Sequence, residues 1–179
     1  SSFSQGDRIF IISSIFGGTG AAGFPLLLKN IRSASPSLNN HALLQSAPVG
    51  AVSVLPYFGV KKDEESDIEK STFISKTKAA LRYYEYGVND AVNSMYYLGD
   101  KLVKDYDNHE GSVAQKNDAH FIELASALAV LDFANDKDIS INKVKEFGVE
   151  NESQNLTFSD LGDNTKRDIL KPLRKYYFF

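Results

Sequence analysis

The stretch Ile9-Phe-Ile-Ile-Ser-Ser-Ile-Phe-Gly-Gly-Thr-Gly20 runs directly into Ala21-Ala-Gly-Phe-Pro-Leu-Leu-Leu-Lys-Asn-Ile-Arg32. An apolar, largely β-branched run stops at glycines and a leucine-rich run follows, which predicts a strand, a tight turn and a helix. Glycine has no Cβ, so the backbone can turn sharply there and approach a ligand closely. The following helix directs unpaired N–H groups and its positive dipole end at the turn. The pattern predicts an anion-binding turn for phosphate, and a plain structural turn is the alternative.

Two further apolar runs have the character of buried strands. In the segments between and after the strands, apolar residues recur at helical spacing. A near-continuous apolar strand is typical of a parallel sheet covered on both faces. We therefore predict an α/β fold with three layers, in which helices flank both faces of a mostly parallel, Rossmann-like sheet. The predicted strands are Arg8–Phe16, Val49–Leu55 and Asn93–Leu98. The predicted helices cover residues 21–32, 68–88 and 117–133, with Asn117 or Asp118 as the cap of the last.

The predicted nucleotide-binding domain covers residues 8–135, and residues 136–179 form a C-terminal extension of strands and a helix. Within this extension, residues 143–149 and 155–159 have the character of strands, and residues 163–177 that of a helix. The chain has no initiator Met and enters its first strand almost at once, so we interpret it as a fragment or a processed product.

Composition excludes several classes of function. The net charge of the 179 residues is −3 and no basic block is present, which argues against a nucleic-acid partner. No apolar run approaches the roughly 20 residues that cross a bilayer, so we expect no membrane partner. The chain has no cysteine, which rules out disulfides and is compatible with the cytoplasm that we predict. The three histidines lack metal-ligand spacing, so no metal site is assigned.

The glycine turn resembles the signature of the tubulin and FtsZ superfamily, Gly-Gly-Gly-Thr-Gly-(Thr/Ser)-Gly, which also lies between a strand and a helix. The second to fifth positions of that signature match Gly17, Gly18, Thr19 and Gly20. Phe16 replaces its first glycine, and Ala21 and Ala22 replace its last two positions. Pro25 stands where FtsZ has a proline, so the chain looks like a diverged bacterial tubulin-like protein.

The resemblance covers roughly residues 8 to 133. The stretch from Gly50 to Tyr57 is similar to the next FtsZ strand, and Gly99-Asp-Lys-Leu102 matches the family's Asn-Asp-Lys/Arg-Leu except at the Asn. The resemblance implies binding of GTP or GDP, with or without Mg²⁺, and self-assembly. It places the phosphates on the turn from Gly17 to Ala21, with Asp100 and Asn117 near the ribose or base.

Departures from the family leave hydrolysis without assigned residues. The family's earlier loops precede this strand and are absent here, and its hydrolytic carboxylates come from a later loop of a neighbouring subunit. Catalytic residues are therefore unknown, and we expect GTPase activity only if another segment of the same protein or a second copy completes the site. That other segment or copy is the partner that we predict.

Two alternative functions stay open. The spacing Gly17-x-x-Gly20-x-x-Gly23 is also that of a turn that binds NAD(P) in short-chain dehydrogenases, and Tyr97-x-x-x-Lys101 mimics their catalytic pair. Against this, the pair follows a strand, and no acidic residue for the ribose occurs about 20 residues past the turn. The other alternative is an assembly module that keeps the fold without the nucleotide, which a bulky Phe16 favours.

Overall fold

The computed structural model describes residues 3–61, 70–102, 104–107, 118–139, 143–146 and Lys166. The backbone forms two compact units, Ser1–Glu146 and Phe147–Phe179. The predicted strand at 155–159 lies outside the described residues, as does the predicted helix at 163–177 apart from Lys166. The strand at Lys143–Glu146, which we predicted as part of the C-terminal extension, lies in the first unit.

Strands and helices alternate through the described part of the first unit, as the sequence predicts. Strand β1 ends two residues earlier than predicted, and the helix after it begins at the second glycine. In chain order the elements are β1 (Ile9–Ser14), α1 (Gly18–Arg32), α2 (His41–Ser46), β2 (Val49–Val54), β3 (Gly59–Val60), α3 (Lys70–Gly87), a 3₁₀ turn (Asn89–Ala91), β4 (Ser94–Leu98), β5 (Asp105–Tyr106), α4 (Phe121–Asn135) and β6 (Lys143–Glu146).

The main sheet has the strand order β1-β2-β4-β6, and every neighbouring pair is parallel. The three predicted strands are therefore parallel, which confirms that part of the prediction. A second, two-stranded parallel sheet joins β3 to β5, which the sequence did not predict. Parallel strands end at one common edge, so the segments that follow β1, β2 and β4 lie together there.

Helices α1 and α3 cover one face of the sheet. Their buried side chains Phe24, Leu28 and Tyr84 pack with apolar residues of β1, β2 and β4 that lie side by side in register. The Tyr84 ring meets the edge of the Phe24 ring at a centroid distance of 5.5 Å, and its hydroxyl donates to the Ala21 carbonyl at 3.0 Å. This contact joins α3 to the first turn of α1.

Helix α4 packs on the opposite face. Phe133 and Ala129 are buried there against Val52 and Tyr96, and the Tyr96 hydroxyl donates to the Asp132 carboxylate at 2.7 Å. Alternate residues of a strand point to opposite faces, which explains how β2 and β4 supply both clusters. The described residues thus form an α/β unit in which helices pack on a parallel sheet.

Arg32, the last residue of α1, organises the amino-terminal edge of the sheet. Its guanidinium donates to the carbonyls of Ala91 (2.9 Å), Gln45 (3.0 Å) and Ala47 (2.6 Å) and to the Asn93 side chain (3.3 Å). The same Asn93 oxygen accepts from the Val49 amide at 2.9 Å. Burial lowers the pKa of Arg32, which nevertheless stays charged because guanidinium is so strong a base. One side chain therefore joins the end of α1 to the starts of β2 and β4.

From two buried tyrosines we predict how the free energy of unfolding falls at alkaline pH. Burial raises the pKa of Tyr84 and of Tyr97 to about 12, and the Tyr97 hydroxyl donates to Asn89 at 2.9 Å. The unfolded value is about 10, so the unfolded chain loses these protons first as the pH rises. Their stabilising effect should be intact below about pH 10 and decline toward pH 12, by at most about 1.4 kcal/mol per pH unit for each tyrosine.

Urea unfolding between about pH 9 and 12 measures this dependence. The Tyr84→Phe/Tyr97→Phe double variant should show a shallower decline of the free energy of unfolding. Tyr86 is 77% exposed, so Tyr86→Phe serves as the control and should keep the wild-type slope. A wild-type slope in the double variant would contradict the assignment.

Candidate functional site

The glycine turn lies between the carboxyl end of β1 and the start of α1. Gly17 has extended backbone angles (φ −101°, ψ 144°) and precedes the helix, whose first backbone hydrogen bond runs from the Ala21 amide to the Gly17 carbonyl at 2.9 Å. The amides of Gly18, Thr19 and Gly20 come before that bond and have no acceptor within the helix. The first turn contains no acidic residue. Free amides and the positive dipole end make this turn favourable for an anion.

The glycines of the turn have different structural roles. A Cβ at Gly20 would lie 2.0 Å from the Ser14 carbonyl oxygen, so α1 can reach β1 only if residue 20 is glycine. A Cβ at Gly18 would meet no atom within 4 Å, and residues 18 and 19 are exposed. Gly20 is therefore required for helix–strand packing, whereas Gly18 leaves open space beside the free amides.

Aromatic rings cover the carboxyl edge next to the turn. We call Phe16, Tyr57, Phe58, Tyr106 and His120 the edge cluster. Ring centroids lie 5.4 Å apart for Phe16 and Phe58, 5.0 Å for Tyr57 and Phe58, 4.7 Å for Tyr57 and His120, and 5.8 Å for Phe58 and Tyr106. The cluster joins residues that follow β1 and β2 to the residue before α4. Phe16, which replaces the first glycine of the tubulin-like signature, is thus part of an aromatic surface.

Asp100 and His120 meet at the other end of the edge cluster. The His120 Nδ1 accepts from the Ile122 amide at 3.2 Å and so caps α4. Its Nε2 lies 3.4 Å from an Asp100 carboxylate oxygen, and the other oxygen of that carboxylate accepts from the Lys101 amide at 2.6 Å. An accepting Nδ1 carries no proton, so the neutral ring has its proton on Nε2, facing Asp100.

The cap of α4 differs from the sequence prediction. Helix α4 begins at Phe121 with His120 as its cap, so the predicted cap at Asn117 or Asp118 is wrong. Asp118 instead accepts a hydrogen bond from Lys104, which lowers the pKa of its carboxyl, and its amide donates to the Tyr106 hydroxyl at 3.3 Å. A histidine can cap because its ring nitrogen accepts from a free amide as an oxygen does.

The predicted site residues divide into three groups. Gly17 to Ala21 form the turn, and Asp100 lies at the same edge of the sheet, connected to the turn through His120, Tyr57 and Phe16. Asn117 lies outside the described residues. The sequence analysis missed His120 and the tyrosines of the edge cluster. The available signal was their position, since Tyr57 and Phe58 closely follow a buried strand and His120 directly precedes an apolar helix.

Exchanging each glycine for alanine should separate the roles of Gly20 and Gly18. Gly20→Ala forces a Cβ into the Ser14 carbonyl and should lower the free energy of unfolding by about 3 kcal/mol, as overpacking does. Gly18→Ala fits and should stabilise the protein by about 0.5 kcal/mol through the unfolded state. Urea unfolding of both variants provides the measurement, and equal effects would contradict the packing role of Gly20.

Among the described helices, none is long and apolar enough to cross a membrane. The described residues also contain no group of three or more His, Cys, Asp or Glu side chains placed to hold a metal ion. In comparisons with known proteins, no family model, no curated protein and no solved structure matches the chain.

Proposed function

We propose that the chain is a tubulin- and FtsZ-like module that binds GTP or GDP, with or without Mg²⁺, and self-assembles in the cytoplasm. In this proposal the parallel sheet is the centre of a three-layer, Rossmann-like nucleotide domain. The observation that carries it is the start of α1, whose free amides lie at the carboxyl edge of the sheet with open space beside Gly18. Ligands of open parallel sheets bind at that edge.

The phosphates would bind to the amides of Gly18, Thr19 and Gly20. These groups donate hydrogen bonds from the positive end of a 15-residue helix, and no acidic side chain in the first turn repels a phosphate. The exposed Thr19 hydroxyl can add one more donor. Cradling of this kind binds phosphate without activating water, so it supports binding rather than hydrolysis.

The base would stack on the edge cluster. Phe16 leads directly from the turn to Tyr57 and Phe58, and flat rings at this position offer a stacking surface for a purine. An Asp100 carboxylate oxygen lies 3.4 Å from the His120 Nε2, and this carboxylate would accept from a ribose hydroxyl or from the base. This arrangement gives Phe16 a role in binding, where the loss of a signature glycine would otherwise suggest a blocked site.

A negative charge introduced at Gly18 tests the phosphate site. Gly18→Glu places a carboxylate beside the free amides, where the helix dipole favours it by about 0.3–1 kcal/mol, so the fold should survive. The same carboxylate repels phosphate. GTP at about 100 times its dissociation constant should stabilise the wild type by about 2.7 kcal/mol in thermal unfolding, and the variant should show no such shift.

Gly23→Glu is the matched control, because a Cβ there also meets no atom within 4 Å, and it should keep the GTP shift. Parallel titrations with NAD test the dehydrogenase alternative, which the structure of Tyr97 disfavours because its hydroxyl donates to Asn89 at 2.9 Å. A GTP shift retained in Gly18→Glu would refute the phosphate site. Unchanged melting of the wild type with both nucleotides would favour the assembly module without nucleotide.

Self-assembly is proposed through β1. This strand ends the described order of the main sheet, and Ile12 is 62% exposed although parallel strands are normally covered on both faces. An open strand edge with an exposed apolar side chain favours pairing with another chain or segment. Completion of the sheet at β1 would also bring further groups to the carboxyl edge, close to the glycine turn. We therefore propose GTP turnover only for the assembled form.

Blocking β1 should keep the chain monomeric and inactive. Ile12→Lys introduces the side chain that natural edge strands use against pairing. For the wild type, the mass measured by sedimentation and the GTP turnover per chain measured by phosphate release should both rise with protein concentration. For the variant, neither quantity should change with concentration. Leu38→Lys, at a residue 53% exposed in a loop, is the control and should behave as wild type. Turnover independent of concentration would contradict assembly-dependent hydrolysis.

A further inference from the structure

Helix α4 has a second apolar side, which faces away from the sheet. Phe133 and Ala129 face the sheet, whereas three large apolar side chains on the other side are between 39% and 56% exposed. Both charged residues of the helix are acidic and exposed. A helix that is apolar on two sides is normally covered on both. We call this side the acidic surface, and its residues are Phe121, Glu123, Leu124, Leu131 and Asp132.

The helices on the opposite face of the sheet also expose large apolar side chains, but there the charge is positive. A leucine of α1 and two tyrosines of α3 are between 60% and 77% exposed. In α1 and from residue 74 onward in α3, four exposed charges are basic and one, Glu85, is acidic. We call this side the basic surface, and its main residues are Leu26, Lys29, Lys76, Arg82, Tyr83 and Tyr86.

Each of the two surfaces is complementary to the other and not to itself. Two acidic surfaces brought together, or two basic ones, would place like charges opposite each other, which is unfavourable. An acidic surface against a basic one pairs opposite charges around apolar side chains, which leave water on contact. A second copy of this chain carries the required partner surface. Because the two surfaces lie on opposite faces of one sheet, a stack of copies keeps one surface exposed at each end and can grow further.

We propose that the basic surface of a second copy covers the acidic surface, so that copies of the chain stack face to face. This inference rests on the self-assembly proposed through β1. Each surface has only a few large exposed side chains, whereas a stable interface has roughly 20–30 residues a side, so one contact alone is too weak. Two chains joined at β1 present each surface twice, and the first contact raises the effective concentration for the second. Pairs therefore stack, and the monomer does not.

Sedimentation of the full chain at two salt concentrations separates stacking from pairing at β1. The Debye length falls from about 10 Å at 0.1 M salt to about 3 Å at 1 M, which weakens contacts between exposed charges. Pairing at β1 uses hydrogen bonds between uncharged backbone groups and should survive. The wild type should therefore grow beyond two chains at 0.1 M salt and return to pairs at 1 M. Pairs at both concentrations would overturn the stacking alone, and monomers at both would overturn both proposals.

Charge reversal on each surface tests which residues make the contact. All changes are at exposed positions, so the fold should survive. Lys76→Glu/Arg82→Glu should raise the protein concentration needed for growth beyond pairs at least tenfold at 0.1 M salt, and Glu123→Lys about fivefold. The triple variant, which reverses charges on both surfaces, should grow more readily than the double one. Lys61→Glu/Lys101→Glu changes the net charge equally, lies outside both surfaces and should behave as wild type.

Three further outcomes would contradict the stacking. Unchanged growth in the double variant, equal loss in the control, or a triple variant no better than the double one would overturn the assignment of the two surfaces. Growth of Ile12→Lys into stacks at 0.1 M salt would overturn the dependence on pairing at β1. Binding of the wild type to vesicles of phosphatidylserine and phosphatidylcholine, without growth in mass, would assign the basic surface to an anionic membrane and overturn the proposal.

Discussion

The contact between Gly20 and Ser14 determines where α1 begins. At this point the helix backbone lies so close to the end of β1 that a single Cβ would come within 2.0 Å of a carbonyl oxygen. Because the backbones are so close, the first amides of α1 are held at the carboxyl edge of the sheet. The adjacent Phe16 is then directed onto Tyr57 and Phe58. Both the candidate phosphate site and the edge cluster therefore depend on the absence of one methyl group.

The other end of α1 is fixed as firmly, by different chemistry. Arg32 donates four hydrogen bonds there to three carbonyls and Asn93, and Tyr84 donates to the first turn through Ala21. Hydrogen bonds from a charged donor contribute more than neutral ones, and these join segments distant in sequence. A helix held at both ends keeps its first amides in a fixed direction. At the proposed phosphate site, such preorganisation would lower the cost of ordering the amides when an anion binds.

Sequence periodicity predicted the strands, their parallel order and the three long helices, because apolar burial on both faces of a strand and one face of a helix leaves a direct pattern. It did not predict β3 and β5, which have two residues each, or the His120 cap, because both arise from contacts distant in sequence. The two glycines also show what the sequence could not predict. Gly18 and Gly20 look alike in the sequence, yet the space where a Cβ would lie is open at Gly18 and occupied by the Ser14 backbone at Gly20. Only tertiary packing separates these roles.

The segment Gly99–Leu102 connects β4 to the edge cluster. Its Asp100 contacts His120, which packs on Tyr57 of that cluster. His120 also caps α4, so the same imidazole joins the segment after β4, the segment after β2 and the start of α4. A nucleotide bound as proposed would act on Asp100 and on the edge cluster together. Linkage is reciprocal, so a change that moves Asp100 relative to His120 would change the affinity for that nucleotide, and the nucleotide would act on that change by the same factor.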